Sequence, residues 1–279
     1  MLVRERQEVQ ALSRRLTLSE TKASRDLEWE GCFNVRDLGG LTTSGGGRTR
    51  AGALVRADVP TRLTPAGRAA VLDHGIRTII DLRFADEVGR DWELYPFQDS
   101  AGDPPAVAVV YANVPFNTGR DPADDEAIRS AYRAATSRSE LNRLDLDRNR
   151  SGIVAAVAAI ADAGAGGVLV HCHAGKDRTG IVVALLLSLV GVSDDDIADD
   201  YARTAINLES LIVEWLDSIT DDIDERDRLR ALAMPAREAM LDTLAHLRRH
   251  YESADAYLRA GGMTDAQIEH LRARLLEDA

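Results

Sequence analysis

Val168-Leu169-Val170-His171-Cys172-His173-Ala174-Gly175-Lys176-Asp177-Arg178-Thr179-Gly180 is the stretch from which the rest of the chain is read. Val168 to Val170 form a continuous apolar run, as in a strand buried on both faces. A tight turn follows, and then a segment of roughly 179–190 that is apolar nearly all round and so reads as a core helix. A buried strand turning directly into such a helix aims the N–H groups of the turn, and the positive end of the helix dipole, at one point. An anion fits there. Arg178 adds a planar fork able to hold two oxygens of a phosphate. The expected phosphate-binding set is therefore His173, Ala174, Gly175, Lys176, Asp177 and Arg178.

The same field favours a thiolate at Cys172, since helix N-termini and cationic neighbours stabilise that form. A thiolate facing a bound phosphate is a nucleophile in line with phosphorus, so the implied chemistry is phosphoryl transfer to sulfur followed by hydrolysis of a cysteinyl-phosphate. The loop amides and Arg178 supply the positive charge a metal would bring, so neither metal nor cofactor is expected.

Two aspartates compete as general acid for the leaving oxygen: Asp177, inside the loop, and Asp81, at the end of a strand on the edge of the sheet where α/β sites gather. Either must hold a proton at the start. A structural pairing of Asp81 with Arg83 or a loop amide is the competing reading for that residue. Thr179 can donate its hydroxyl to the Cys172 sulfur, or merely cap the helix. His171 either supports the thiolate or is a buried, hydrogen-bonded histidine. Lys176 is one of two lysines in the chain, with Lys22, and a flexible point charge inside an anion loop can reach a second phosphate. Cys32 lacks such surroundings and reads as a packing residue, with a redox partnership to Cys172 as the alternative. His171-Cys172-His173 has no second ligand cluster to make a zinc site, and His246 and His250 read as an exposed helix face.

Outward from the loop, strands and helices alternate. Residues 53–57 form a short strand. Thr64 caps a helix opened by Pro65 and closed at Gly75. Ile76 to Ile80 form a strand ending at Asp81-Leu82-Arg83, and residues 106–115 another, stopped by Pro115. A polar, helical stretch over 121–150 precedes Ile153, Val157 and Ile160 at helical spacing. Stripes follow at Leu208, Leu211, Ile212, Trp215, Leu216 and Ile219, and at Met240, Leu244, Leu247 and Tyr251. Thr264 and Gln267 form a capping box for a last helix. The pattern is an α/β layer sheet extended by C-terminal helices, with an N-terminal extension over 1–27 and one domain over 28–279.

The chain has 279 residues, 45% hydrophobic and 29% charged, the profile of a folded globular protein. A net charge of −12 speaks against a nucleic-acid partner and against stable association with an anionic membrane, both of which need a basic face. Two cysteines make no disulfide scaffold. The N-terminus, charged from Arg4 onward, has no apolar core, and a cytoplasmic location is expected.

His171-Cys172, Gly175 and Arg178-Thr179-Gly180 resemble the Cys-x5-Arg phosphate loop of the cysteine-dependent protein tyrosine phosphatases. Asn34-Val35-Arg36-Asp37-Leu38-Gly39-Gly40, Asp81-Leu82-Arg83 with Glu87, the Lys176-Asp177 pair and Tyr257-Leu258 to Leu276 are similar to one branch, the atypical bacterial tyrosine/lipid phosphatases. The likeness runs over roughly 28–277, with Val35, Ala57 and a short region between Tyr201 and Pro235 as departures. It implies a phosphatase-like sheet flanked by helices, a helical lid over about 202–235, and hydrolysis of phosphotyrosine in a protein, with phosphoserine, phosphothreonine or phosphoinositides as further substrates. A phosphoprotein-binding module that has lost catalysis is the alternative from another class.

Overall fold

The computed structural model describes residues 25–97, 109–118, 125–220 and 222–277. Most of the expected N-terminal extension and the first part of the 106–115 strand lie outside these residues.

Five strands, β1 (Arg36–Asp37), β2 (Leu54–Ala57), β3 (Ile76–Asp81), β4 (Val110–Asn113) and β5 (Gly167–His171), form one sheet in the order β1-β2-β5-β3-β4. β1 runs antiparallel to β2, and every other neighbouring pair is parallel. Side chains alternate across this sheet with period two. Leu54, Ile80, Val168 and Val170 face one apolar core, while Val55, Ile79 and Leu169 face a second. This is why the central strands read as uninterrupted apolar runs.

The first helix, α1 (Pro65–Asp73), is capped by the Thr64 side chain, which accepts from the Gly67 N–H; Gly75 beyond it has φ +89°. α2 (Ala85–Asp91) follows β3. α3 (Asp125–Ala134), α4 (Arg138–Arg148) and α5 (Arg150–Ala161) lead to β5. α6 (Asp177–Leu189) follows, and Ile181 to Leu187 are all buried in it. It packs against β5, α4, α5, α7 (Asp194–Asn207) and, beyond three further helices, α11 (Ala254–Ala260). α8 (Glu209–Ile219), α9 (Ile223–Ala233), α10 (Arg237–Tyr251), α11 (Ala254–Ala260) and α12 (Asp265–Leu275) complete the chain. The Thr264–Gln267 capping box on α12 is formed. β1, a two-residue edge strand, was not legible as a strand because its neighbourhood reads as a turn.

Register decides where chemistry can sit. Ala57 at the end of β2 and Asp81 at the end of β3 both lie opposite His171 at the end of β5. The carboxyl ends of the three central strands therefore converge one residue before Cys172, where ligands gather in open parallel sheets. Among the described residues no helix is long and apolar enough to cross a membrane.

Candidate active site

Cys172 leaves β5 buried, at 3% exposure. The carbonyls of the following loop are tied back into the protein. Asn34 Nδ2 donates to the Ala174 and Gly175 carbonyls at 3.0 and 3.1 Å, Arg56 Nη2 donates to the Gly175 carbonyl at 2.7 Å, and the His173 carbonyl accepts from Val59 N–H at 2.9 Å. A peptide whose carbonyl is held outward turns the following N–H inward. The first bond inside α6 runs from Gly180 N–H to the Lys176 carbonyl, 2.9 Å, so the N–H groups of Asp177, Arg178 and Thr179 have no partner within the helix. These amides are left free to meet a ligand at the mouth of the loop. Gly175 makes the geometry possible: its φ is +62°, and a Cβ there would lie 2.1 Å from the Ala57 carbonyl oxygen.

A buried charge network holds the two ties. Asp200 on α7 takes Arg56 Nη1 at 2.7 Å and Arg36 Nε at 2.9 Å, and Arg25 lies 3.1 Å away. Arg36 Nη1 in turn fixes the Asn34 amide oxygen at 2.7 Å. Burial alone would push the Asp200 carboxyl up, but three guanidinium groups hold it well below the usual carboxylate range. Of the motif Arg36-Asp37-Gly39-Gly40, Arg36 thus supports the loop through Asn34, whereas Asp37 makes the local turn by accepting from Gly39 and Gly52 N–H groups at 2.8 and 2.7 Å.

Arg178 is gripped by Glu87 on α2, with Nη2 to Oε1 at 2.9 Å and a second bond from Nη1 to Oε2. Its guanidinium carbon lies 4.8 Å from the centroid of the Phe84 ring. Glu87 is itself fixed by accepting from the Phe84 N–H at 2.9 Å. Burial works against its charge, and Arg178 overcomes this to keep it a carboxylate.

The two candidate acids sit in unlike places. Asp81 is fully buried, and Arg83 grips it through Nε and Nη2 at 3.1 to 2.9 Å, while the Arg83 N–H and the Tyr111 hydroxyl donate to it at 2.9 and 3.0 Å. Burial would raise this carboxyl, but the hydrogen bonds and charge of Arg83 outweigh it and hold it below the ordinary value. With no exposed surface and both oxygens on Arg83, this carboxylate is not placed to meet a leaving group, and the expectation of Asp81 as general acid gives way to the structural pairing with Arg83. Asp177, at the first turn of α6, keeps 29% side-chain exposure and lies 3.1 Å from Arg138 Nη1 and 3.6 Å from Lys176 Nζ.

Thr179 Oγ1 makes neither contact expected of it. It is buried and has no hydrogen-bond partner among the described residues, and the N-terminal residue capping α6 is Lys176. An orphaned buried hydroxyl costs about 1–3 kcal/mol, which makes it a candidate for a bond formed only during reaction. His171 is the buried, hydrogen-bonded histidine: Nδ1 donates to the Cys172 carbonyl at 2.8 Å, so Nε2 accepts from the Tyr95 hydroxyl at 3.0 Å. Burial pushes its ring below the usual histidine range, toward the neutral form. Cys32 donates to Asp58 Oδ1 at 3.0 Å, and burial pushes its thiol well up; it packs rather than reacts. His246 is buried against Asp147 at 2.9 Å, which corrects the exposed face expected there, whereas His250 is exposed as expected.

Above the loop lies a cavity of about 650 Å³. It is lined by His173, Ala174, Lys176, Arg62 and Arg138 together with Leu211, Ile212 and Trp215 of α8 and Leu229, Leu232 and Ala233 of α9. Lys176, at 8% exposure, donates its Nζ to the Ala233 carbonyl. Sequence reasoning missed Asn34, Arg56, Asp200 and Arg138 as parts of this site. A signal existed for Asp200: it falls on the buried stripe of Ile197, Tyr201 and Thr204 in α7, where a charged residue needs a partner.

Residues 27–277 match the model of the tyrosine phosphatase family. The chain is 30% identical over 276 residues to the triple specificity protein phosphatase PtpB of Mycobacterium tuberculosis, covering 89% of this chain and 98% of that protein. It is 29% identical over 239 residues to a tyrosine-protein phosphatase of Nostoc commune, covering 81% and 74%. With 27–277 matched and a relative 30% identical over nearly all of both chains, the chain belongs to the tyrosine phosphatase family.

Proposed function

We propose that this phosphatase hydrolyses phosphotyrosine with Cys172 as nucleophile, Arg178 and the loop amides of 173–178 as phosphate ligands, and Asp177 as general acid. The observation that carries the reading is the loop itself, whose Ala174 and Gly175 carbonyls are pulled outward by Asn34 and Arg56. That cup suits a tetrahedral oxyanion. Its charge complementarity is preorganised, so stabilising the transition state needs no rearrangement of the loop.

In the first step the Cys172 thiolate attacks phosphorus, the P–O bond to the tyrosyl oxygen breaks, and the leaving oxygen takes the Asp177 proton. In the second, water attacks the cysteinyl-phosphate, the S–P bond breaks, and the Asp177 carboxylate takes the proton of that water. Thr179 is suited to donate its unpartnered hydroxyl to the departing sulfur. The α8–α9 pair would act as a lid, because its residues and those of the loop line one cavity. The breadth in the name of the mycobacterial relative suggests phosphoserine and phosphothreonine as further substrates here. Lys176 offers the cation a second phosphate group, as on a phosphoinositide, would need.

The test is hydrolysis of phenyl phosphate with a chelator present. Cys172→Ser is expected to lose all measurable turnover, and Asp177→Asn to lose about 10²-fold or more while Asp81→Asn instead lowers the melting temperature. Turnover retained in Cys172→Ser would sink the assignment.

A further inference from the structure

Arg138 is the first residue of α4, directly after its capping residue Ser137. Its side chain is 12% exposed, and its two terminal nitrogens go to different partners. Nη1 lies 3.1 Å from Asp177 Oδ1. Nη2 donates to the Leu232 carbonyl in the last turn of α9. That carbonyl is one of the four a helix leaves unpaired at its C-terminus, where the dipole favours a cation. The next carbonyl, of Ala233, accepts from Lys176 Nζ.

Asp177 is therefore not held by its own helix alone. Oδ1 faces Arg138 and, at 3.5 Å, the Tyr201 hydroxyl, and Oδ2 faces Lys176. Arg138 lines the cavity over the loop, whereas Asp177 is not among the residues lining it. A general acid must place one oxygen within hydrogen-bond reach of the leaving group, and displacement by about 1 Å can cost 10²-fold. An arginine fork, planar and rigid, is suited to fixing the other oxygen. We propose that Arg138 is a positioning residue that sets the Asp177 carboxyl for proton donation and uses the C-terminus of α9 as its anchor. The proposal rests on Asp177 being the acid.

Proton donation matters most when the leaving group is basic. The experiment therefore compares kcat/KM for phenyl phosphate with that for 4-nitrophenyl phosphate, whose leaving group needs little help. Arg138→Met is expected to lose about tenfold or more on phenyl phosphate and less than about threefold on the nitrophenyl ester. Arg138→Lys, which retains the charge and folds with less disturbance, should show the same selective loss to a smaller degree. Introduced into Asp177→Asn, Arg138→Met should add less than about threefold, because two residues acting through one proton transfer are not additive. Leu216→Asp, which disturbs α8 beneath α9 without touching either side chain, should shift the ratio of the two substrates in the same direction.

Equal losses on both esters, or an undiminished loss in the Asp177→Asn background, would overturn the positioning role. An unchanged ratio in Leu216→Asp would remove the anchor. Failure of the underlying reading has a separate signature: Asp177→Asn alone would then leave the ratio of the two substrates unaltered.

Discussion

Four carboxyl groups at or near the loop of residues 173–178 differ only in their surroundings, and those surroundings set their chemistry. Asp200 lies among three arginines and Asp81 against Arg83, and both remain charged. Asp177 is partly open, with cations on both of its oxygens. Asp145 on α4 is the exception. Burial pushes it up to about 6, although the Tyr132 hydroxyl donates to it at 2.6 Å. Unfolded, the same carboxyl titrates near 4. Between about pH 4 and 6 the native protein thus keeps a proton that the unfolded chain has released, so stability falls as pH rises through that window and stays low above it. A shift of about two units corresponds to roughly 3 kcal/mol. Asparagine is isosteric and can accept the same bonds from Tyr132 and from Asn149 Nδ2, which lies 3.1 Å from Oδ1. Asp145→Asn is therefore expected to raise the melting temperature by several degrees at pH 8. The gap should close below about pH 4, as read by thermal scans across pH. An equal gain at both ends would mean that the proton linkage is not its cause.

At the scale of elements, the strand–loop–helix unit was legible because its signals are local. Val168 to Val170 gave a buried strand, Gly175 the turn, and the all-round apolarity of 181–187 a core helix, each within a few neighbouring residues. What holds the loop open was hidden, because its partners lie far away in sequence. Asn34 reaches the loop from 140 residues away and Arg56 from 119, and Arg138 is one basic residue among 34. Asp200 sits in an acidic run that reads as a solvated helix face unless its place on the apolar stripe is noticed. Asp81 misled for a related reason: the carboxyl edge of a sheet attracts catalytic and structural carboxylates alike, and only the position of Arg83 separates them. Gly175 allows a test of the element itself. Alanine there meets the Ala57 carbonyl at 2.1 Å and must adopt a φ near +62°, which costs about 1–2 kcal/mol before any clash. Relief of that contact would displace the loop backbone and with it the inward amides. Gly175→Ala should lower kcat/KM by about 10²-fold or more with only a modest fall in melting temperature. Near-normal turnover would show that the loop tolerates displacement.

The whole molecule divides into parts of unequal cohesion. α6 is enclosed by β5 and four helices and belongs to the main apolar core. α8, with Leu208 just before it, and α9 instead carry a small cluster of their own, Leu208, Ile212, Leu216 and Ala233, with Ala174 of the loop after β5 against it. Trp215, Ile219 and Ile223 remain largely exposed on the same pair. Among the described residues, the polar attachment of this pair to the loop region is the donation from Lys176 and Arg138 to its last carbonyls. Few buried apolar groups and few tertiary bonds mean a low free energy of local opening. Amides of Ile212 to Leu216 should therefore exchange with solvent through a local opening whose free energy barely responds to low denaturant. Those of Val182 to Leu187 should exchange only with global unfolding, tracking the full denaturant slope. Lys176→Met removes one of the two attachments, so it should quicken exchange in α8 and α9 while leaving α6 unchanged. Native-state hydrogen exchange read by mass spectrometry decides the matter. If α8 and α6 open at the same free energy and with the same denaturant dependence, the pair is part of the core rather than a cover that lifts from it, and substrate would have to reach Cys172 by another path.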